Sequence, residues 1–157
     1  MPPGPASERR PAKVSHPLVT MGDMKTRTAP RPRRIASLPP DASTLRLAVT
    51  RWALATGHRV DYDALTVILA TKSEEPVPVN RWTEDDVWRL WWIDLSGWCA
   101  RRGLRTPDGL ATTMLTLLRH LAATDAFAEG SDTLRVLEAA MEATGALWRG
   151  RTPVSAG

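Results

Sequence analysis

Between residues 41 and 150 the apolar positions recur at the three- and four-residue spacing of a helix, and capping residues or glycines bound each run. Leu45, Val49 and Trp52 make one stripe over Ser43–Thr56, with Asp41 or Ser43 as cap and Gly57 as stop. A second helix is expected over Tyr62–Thr71, capped by Asp61. Its Leu65-Thr66-Val67-Ile68-Leu69 core is β-branched enough to pass for a buried strand, but the chain offers no partner strands, so helix is the reading. Pro76 and Pro78 then force a loop.

The third helix carries the strongest signal. Thr83-Glu84-Asp85-Asp86 reads as a capping box, and three acids in the first turn favour the positive end of the helix dipole. Apolar residues at 87, 91, 95 and 98 form one stripe and those at 88, 92, 95 and 99 a second, which predicts a central helix running to Gly103. A fourth helix is expected to open at Thr106-Pro107-Asp108, with proline at the first helical position, and to continue through Leu110, Met114, Leu117, Leu118 and Leu121. The fifth opens at Ser131-Asp132 and carries Leu134, Leu137, Met141 and Trp148, with Phe127 plugging the gap before it. The expected fold is all-α: five helices in a compact bundle-like domain over 41–150, followed by a flexible tail at 151–157. A domain of about 110 residues buries some two-thirds of its unfolded surface, enough to fold alone.

Charge divides the chain further. Residues 1–40 hold eight Lys/Arg against Glu8 and Asp23, a net +6, which leaves −2 for residues 41–157 of a chain whose total is +4. Nine of the 13 prolines lie in the same segment, so the reading is a disordered, basic, Pro-rich arm. Such an arm is either a solvated extension or a handle for a polyanion, centred on Arg31, Arg33 and Arg34. Met21 and Met24 are internal alternative starts; initiation at Met24 deletes Arg9, Arg10 and Lys13 but keeps the basic cluster at 27–34. The apolar stretches Leu65–Ala70 and Leu90–Ile93 fall short of the roughly 20 residues a membrane span needs. Arg9 and Arg10 are followed by Pro, Ser and His rather than an apolar run, so a cytoplasmic protein without membrane association is expected.

Enzymatic motifs are sparse. The ten glycines are isolated and form no phosphate loop, and His16, His58, His120 and the single Cys99 are too scattered for a zinc site, so no metal or cofactor is expected. Cys99 with His120 is the one nucleophile–base pairing available, yet Cys99 lies on an apolar stripe, where cysteine packs as a small hydrophobe. The capping role accounts for Asp85 and Asp86, and Asp94 reads as a solvated gap in the stripe rather than a carboxylate paired with Arg101 or Arg102. The first two helices and the turn Gly57–Asp61 have helix-turn-helix spacing, but the second helix offers a groove only Thr66, Thr71 and Lys72.

Tryptophan is the unusual component: seven Trp against one Tyr and one Phe, with Trp82, Trp88, Trp91, Trp92 and Trp98 inside one short segment. Either all of these indoles pack in the core, or, since one helix cannot readily bury so many, Trp88, Trp91 and Trp92 form a protein contact surface. Base stacking is disfavoured, since Arg89 is alone among the indoles and Glu84–Asp86 repel phosphate.

Arg81-Trp82-Thr83-Glu84-Asp85-Asp86-Val87, Trp91-Trp92-Ile93-Asp94 and Trp98-Cys99-Ala100-Arg101-Arg102 resemble a segment of hypothetical proteins of high-GC actinobacteria. Pro107-Asp108-Gly109-Leu110, Leu117-Leu118, Leu121 and Gly130-Ser131-Asp132 extend the resemblance over residues 80–145. It implies a small helical domain and supplies no catalytic residue. The expectation is a non-enzymatic interaction or regulatory protein that contacts a protein partner, or a second copy, through its Trp-rich helix. The alternative is a nucleic-acid-associated accessory protein, of the kind carried by mobile elements, that binds phosphate through its arm.

Overall fold

The structure, a computed structural model, describes residues 37–150 and Gly4, with residues 146–150 described by their backbone alone. The basic arm up to residue 36, with Arg31, Arg33 and Arg34, and the tail 151–157 lie outside the described residues, as does the side chain of Trp148. Five helices and no strand occur among the described residues: α1 (Pro40–Thr56), α2 (Tyr62–Lys72), α3 (84–101), α4 (Leu110–Ala123) and α5 (Leu134–Gly150).

Helix α1 begins three residues before its expected start, because Pro40 takes the first helical position, where a missing N–H costs nothing. Gly57 ends it at φ 75°, with its N–H on the Ala53 carbonyl. Ala42, Val49 and Ala53 are buried, while Leu45 and Trp52 of the expected stripe are half-buried. At the start of α2 the Asp61 side chain accepts from the Ala64 N–H at 2.7 Å.

All nine residues from Ala64 to Lys72 are buried, and α2 packs against α1, α3 and α4. Helix α3 packs on two sides, against α2 and α5, while α2, with its run of small and branched side chains, has three neighbours around it. The same burial removes the helix-turn-helix alternative, since Thr66, Thr71 and Lys72 present nothing to a groove.

Two expected starts are corrected. Gly109, at φ 74°, is the N-cap of α4, so the left-handed residue interrupts any helix begun at Pro107. The start of α4 is tied to the α1–α2 turn instead: the Asp61 N–H donates to Thr113 Oγ1, and Thr116 Oγ1 donates to the Arg59 carbonyl. Helix α5 begins at Leu134, because Ser131 and Asp132 serve the start of α3. Phe127 is half-buried against the common core.

Candidate functional site

Helix α3 owes its start to two segments. The Thr83 hydroxyl accepts from the Asp86 N–H at 3.2 Å, and the Asp86 carboxylate accepts from the Thr83 N–H at 2.9 Å. Asp132, 48 residues later, accepts from the Glu84 N–H at 2.7 Å, while Ser131 Oγ accepts from the Trp82 N–H and the Asp132 N–H returns to the Trp82 carbonyl. The carboxylates of Asp86 and Asp132 thus answer N–H groups at a helix terminus that would otherwise lack partners.

The helix is then interrupted. Glu84–Arg89 and Leu95–Arg101 are α-helical, but Leu90–Asp94 between them is a π-turn whose Leu95 N–H reaches back to the Leu90 carbonyl. The buried apolar residues are Val87, Leu90, Leu95, Trp98 and Cys99, with a five-residue step from 90 to 95. The extra residue keeps Leu90 and Leu95 on one face and leaves Trp92 and Ile93 off it, while Trp91 lies half-buried against the core. Trp91 and Trp92 are half-buried, Ile93 is 63% exposed, and Trp88 is half-buried one turn earlier. Trp82 and Trp98, by contrast, belong to the core, each with an indole N–H lacking a hydrogen-bond partner among the described residues. Trp91 Nε1 donates to Met141 Sδ of α5 at 3.2 Å. The fold thus places the three candidate contact residues at the surface edge of α3 and separates them from the two core indoles.

Beneath this face lies a charge cluster that sequence reasoning missed. Lys72 is 1% exposed; its Nζ lies 2.9 Å from Glu75 Oε2, 3.2 Å from Asp86 Oδ2 and 4.7 Å from the Trp82 ring centroid. Burial on its own raises the Asp86 carboxyl, but the Thr83 N–H and then the Lys72 charge outweigh it and hold that carboxyl below its usual range. Arg89 extends the chain of charges, 3.7 Å from both Glu75 and Asp94, so Asp94 is half-buried and paired rather than a solvated gap. Arg101 and Arg102 instead hold Glu74. Glu74, Glu75, Arg89, Asp94 and Arg101 wall a cavity of about 250 Å³, and each has an opposite within 4 Å, which reads as a staple between α3 and the end of α2. The available sequence signal is Lys72 closing the uncharged run 64–71, whose only polar residues are Thr66 and Thr71, with Glu75 three residues on.

Cys99 and His120 have different neighbours, Thr106 and Arg102 for the one and Trp52 for the other. Burial raises the Cys99 thiol, against the opposing pull of the Thr106 hydrogen bond and the Arg102 charge. His120 packs edge-on to Trp52 at 5.5 Å, its Nδ1 lacks a hydrogen-bond partner among the described residues, and burial pushes its pKa down. Trp52 also stacks on His58 at 4.5 Å. Among the described residues no group of three or more His, Cys, Asp or Glu could hold a metal ion, and no helix is long and apolar enough to cross a membrane.

No family model, curated protein or solved structure matches the chain.

Proposed function

We propose that the protein is a helical interaction or regulatory module that contacts a macromolecular partner, protein or second copy, through Trp88, Trp91 and Trp92 of α3. The observation that carries this reading is the π-turn Leu90–Asp94, where Ile93 is exposed, Trp92 is half-buried and Trp91 is half-buried at the edge of the core. A π-turn has poorer geometry than continuous α-helix and recurs at functional positions, where it re-aims side chains. Trp at a half-buried edge combines large apolar area with few rotatable bonds, the property that enriches it in binding hot spots.

A photo-cross-linking residue placed at Ile93 of the full chain, in its native cells, tests the reading. The expected result is a discrete cross-linked product that is absent from the same residue placed at Leu54, an exposed position on α1, and that disappears when Trp88 and Trp92 are replaced by Ser. Equal products from positions 93 and 54, or a product indifferent to the Ser substitutions, would overturn it.

A second reading rests on the +6 charge of residues 1–40. In it Arg31, Arg33 and Arg34 bind nucleic-acid phosphate without sequence preference, and affinity falls steeply with salt. Replacing the three by Ala should weaken duplex DNA binding and flatten its salt dependence; unchanged affinity removes this reading.

A further inference from the structure

The antiparallel pair α4 and α5 leaves an open groove of about 500 Å³ on its outer side. Ala111 and Leu115 form one wall, one turn apart on α4, and Met141 and Gly145 form the other, one turn apart on α5. Past Ala111 the groove meets a second cleft of about 360 Å³, where Trp91 and Leu95 of α3 face the start of α4. Ala111 lines both, and the Trp91–Met141 bond ties their walls together.

Three properties define what would fit. The walls repeat at the pitch of a helix, so a third helix can seat its side-chain ridge between them. Ala111, where the two cavities join, and Gly145 on the opposite wall of the groove are small, and among the described residues a Cβ added at Gly145 meets nothing within 4 Å, which leaves room for an incoming backbone. The charge is one-sided: Asp108 lines the cleft and Glu142 the groove, neither with an ion-pair partner among the described residues, whereas Arg119 at the far end is already held by Glu138 at 2.8 Å.

We infer that this groove receives a short amphipathic helix of a partner protein, with apolar residues at i, i+3 or i+4 and i+7 and with Lys or Arg in its flanks. The apolar row lies over Leu115, Met141 and Trp91, and the basic flank meets Asp108 and Glu142. Recognition of this kind places affinity in the apolar anchors and orientation in the charges. The inference rests on the reading of α3 as a contact surface, from which it takes Trp91.

The test uses a fluorescent peptide of about four helical turns, or 14 residues, with Leu anchors at that spacing and Lys/Arg flanks, titrated onto the full chain by anisotropy. The same peptide with Glu flanks should bind at least tenfold more weakly, and Asp108→Asn with Glu142→Gln should remove most of that difference. Gly145→Leu fills the groove from open space, so it should keep the circular dichroism melt and cost at least tenfold in affinity. No binding of the basic peptide, equal binding of both peptides, or indifference to Gly145→Leu overturns the inference. So does loss of a full-chain dimer in Gly145→Leu without peptide binding, which would make a second copy the occupant. Trp88 lies outside the groove, so failure of the peptide while cross-linking from Ile93 persists defeats the groove and spares the α3 reading, and the reverse result does the opposite.

Discussion

Replacing Lys72 with methionine removes a buried charge while keeping an unbranched stem, so the variant isolates the ion pairs from packing. Lys72 is 1% exposed, and its loss takes from Asp86 a partner at 3.2 Å and from Glu75 one at 2.9 Å. Removing one member of a buried pair costs about 3–5 kcal/mol, because the other member is left unanswered. Asp86 keeps the Thr83 N–H and Glu75 keeps Arg89, so the low end, about 3 kcal/mol, is expected here. For a domain of this size that corresponds to a fall in Tm of roughly 12 °C. Asp86→Asn should then cost less in the Lys72→Met background than in the wild type, with a coupling above about 1 kcal/mol in the double-mutant cycle.

Acid supplies a second signature of the same pair. Despite burial, the Asp86 pKa is held below its usual range by Thr83 and Lys72, so its stabilisation is complete above the unfolded value and lost as pH falls through the folded one. The wild type should therefore lose stability below about pH 4 more steeply than Lys72→Met, whose Asp86 titrates higher. Urea unfolding at about pH 7 and about pH 3 reads both effects. A loss under about 1 kcal/mol at neutral pH, with an unchanged acid slope, would refute the argument.

Trp82→Ala should cost about 3–5 kcal/mol, while Trp88→Ser should cost about 1 kcal/mol or less, and comparing their thermal melts tests the division between core and edge indoles. Deleting Ile93 should convert the π-turn to α-helix, leave helicity unchanged by circular dichroism and abolish the partner contact, read with a photo-cross-linker in place of Trp92; retained cross-linking would show that the turn does not set the contact. Buried, neutral His120 contributes stability that is complete above the unfolded pKa of about 6.5 and declines as pH drops toward its lowered folded value. His120→Asn should flatten the stability profile between about pH 7 and pH 5, measured by urea unfolding at each pH.

Signals confined to a few neighbouring residues are legible in the sequence. The Gly57 stop, the Asp61 cap and the Thr83–Asp86 box each involve groups within four residues, and the structure contains all three. The readings that need correction depend on distant partners. Ser131 and Asp132 resemble the cap of the helix that follows them, but their acceptors answer Trp82 and Glu84. Pro107 resembles a first helical residue until Gly109 turns left-handed behind it. Within Leu90–Asp94, apolar residues satisfy both the α and the π spacing, so the pattern alone cannot register the added residue. Lys72 reads as surface in the sequence because its two carboxylate partners flank a loop whose path only tertiary packing determines. For the candidate site, the sequence singles out the three edge tryptophans but not the groove, whose walls come from two helices and whose floor reaches a third.

The Asp132 cap also sets an order of events during synthesis. Glu84 must wait for a residue 48 positions later to complete the start of its helix. At about 5–20 residues per second a ribosome needs roughly 2–10 s to add that length, whereas helices form within about a microsecond. For those seconds the nascent chain carries its whole cluster of indoles without α5 or the Asp132 cap to cover and fix it. The Trp-rich segment is thus a part of this chain that stays open to a chaperone for those seconds.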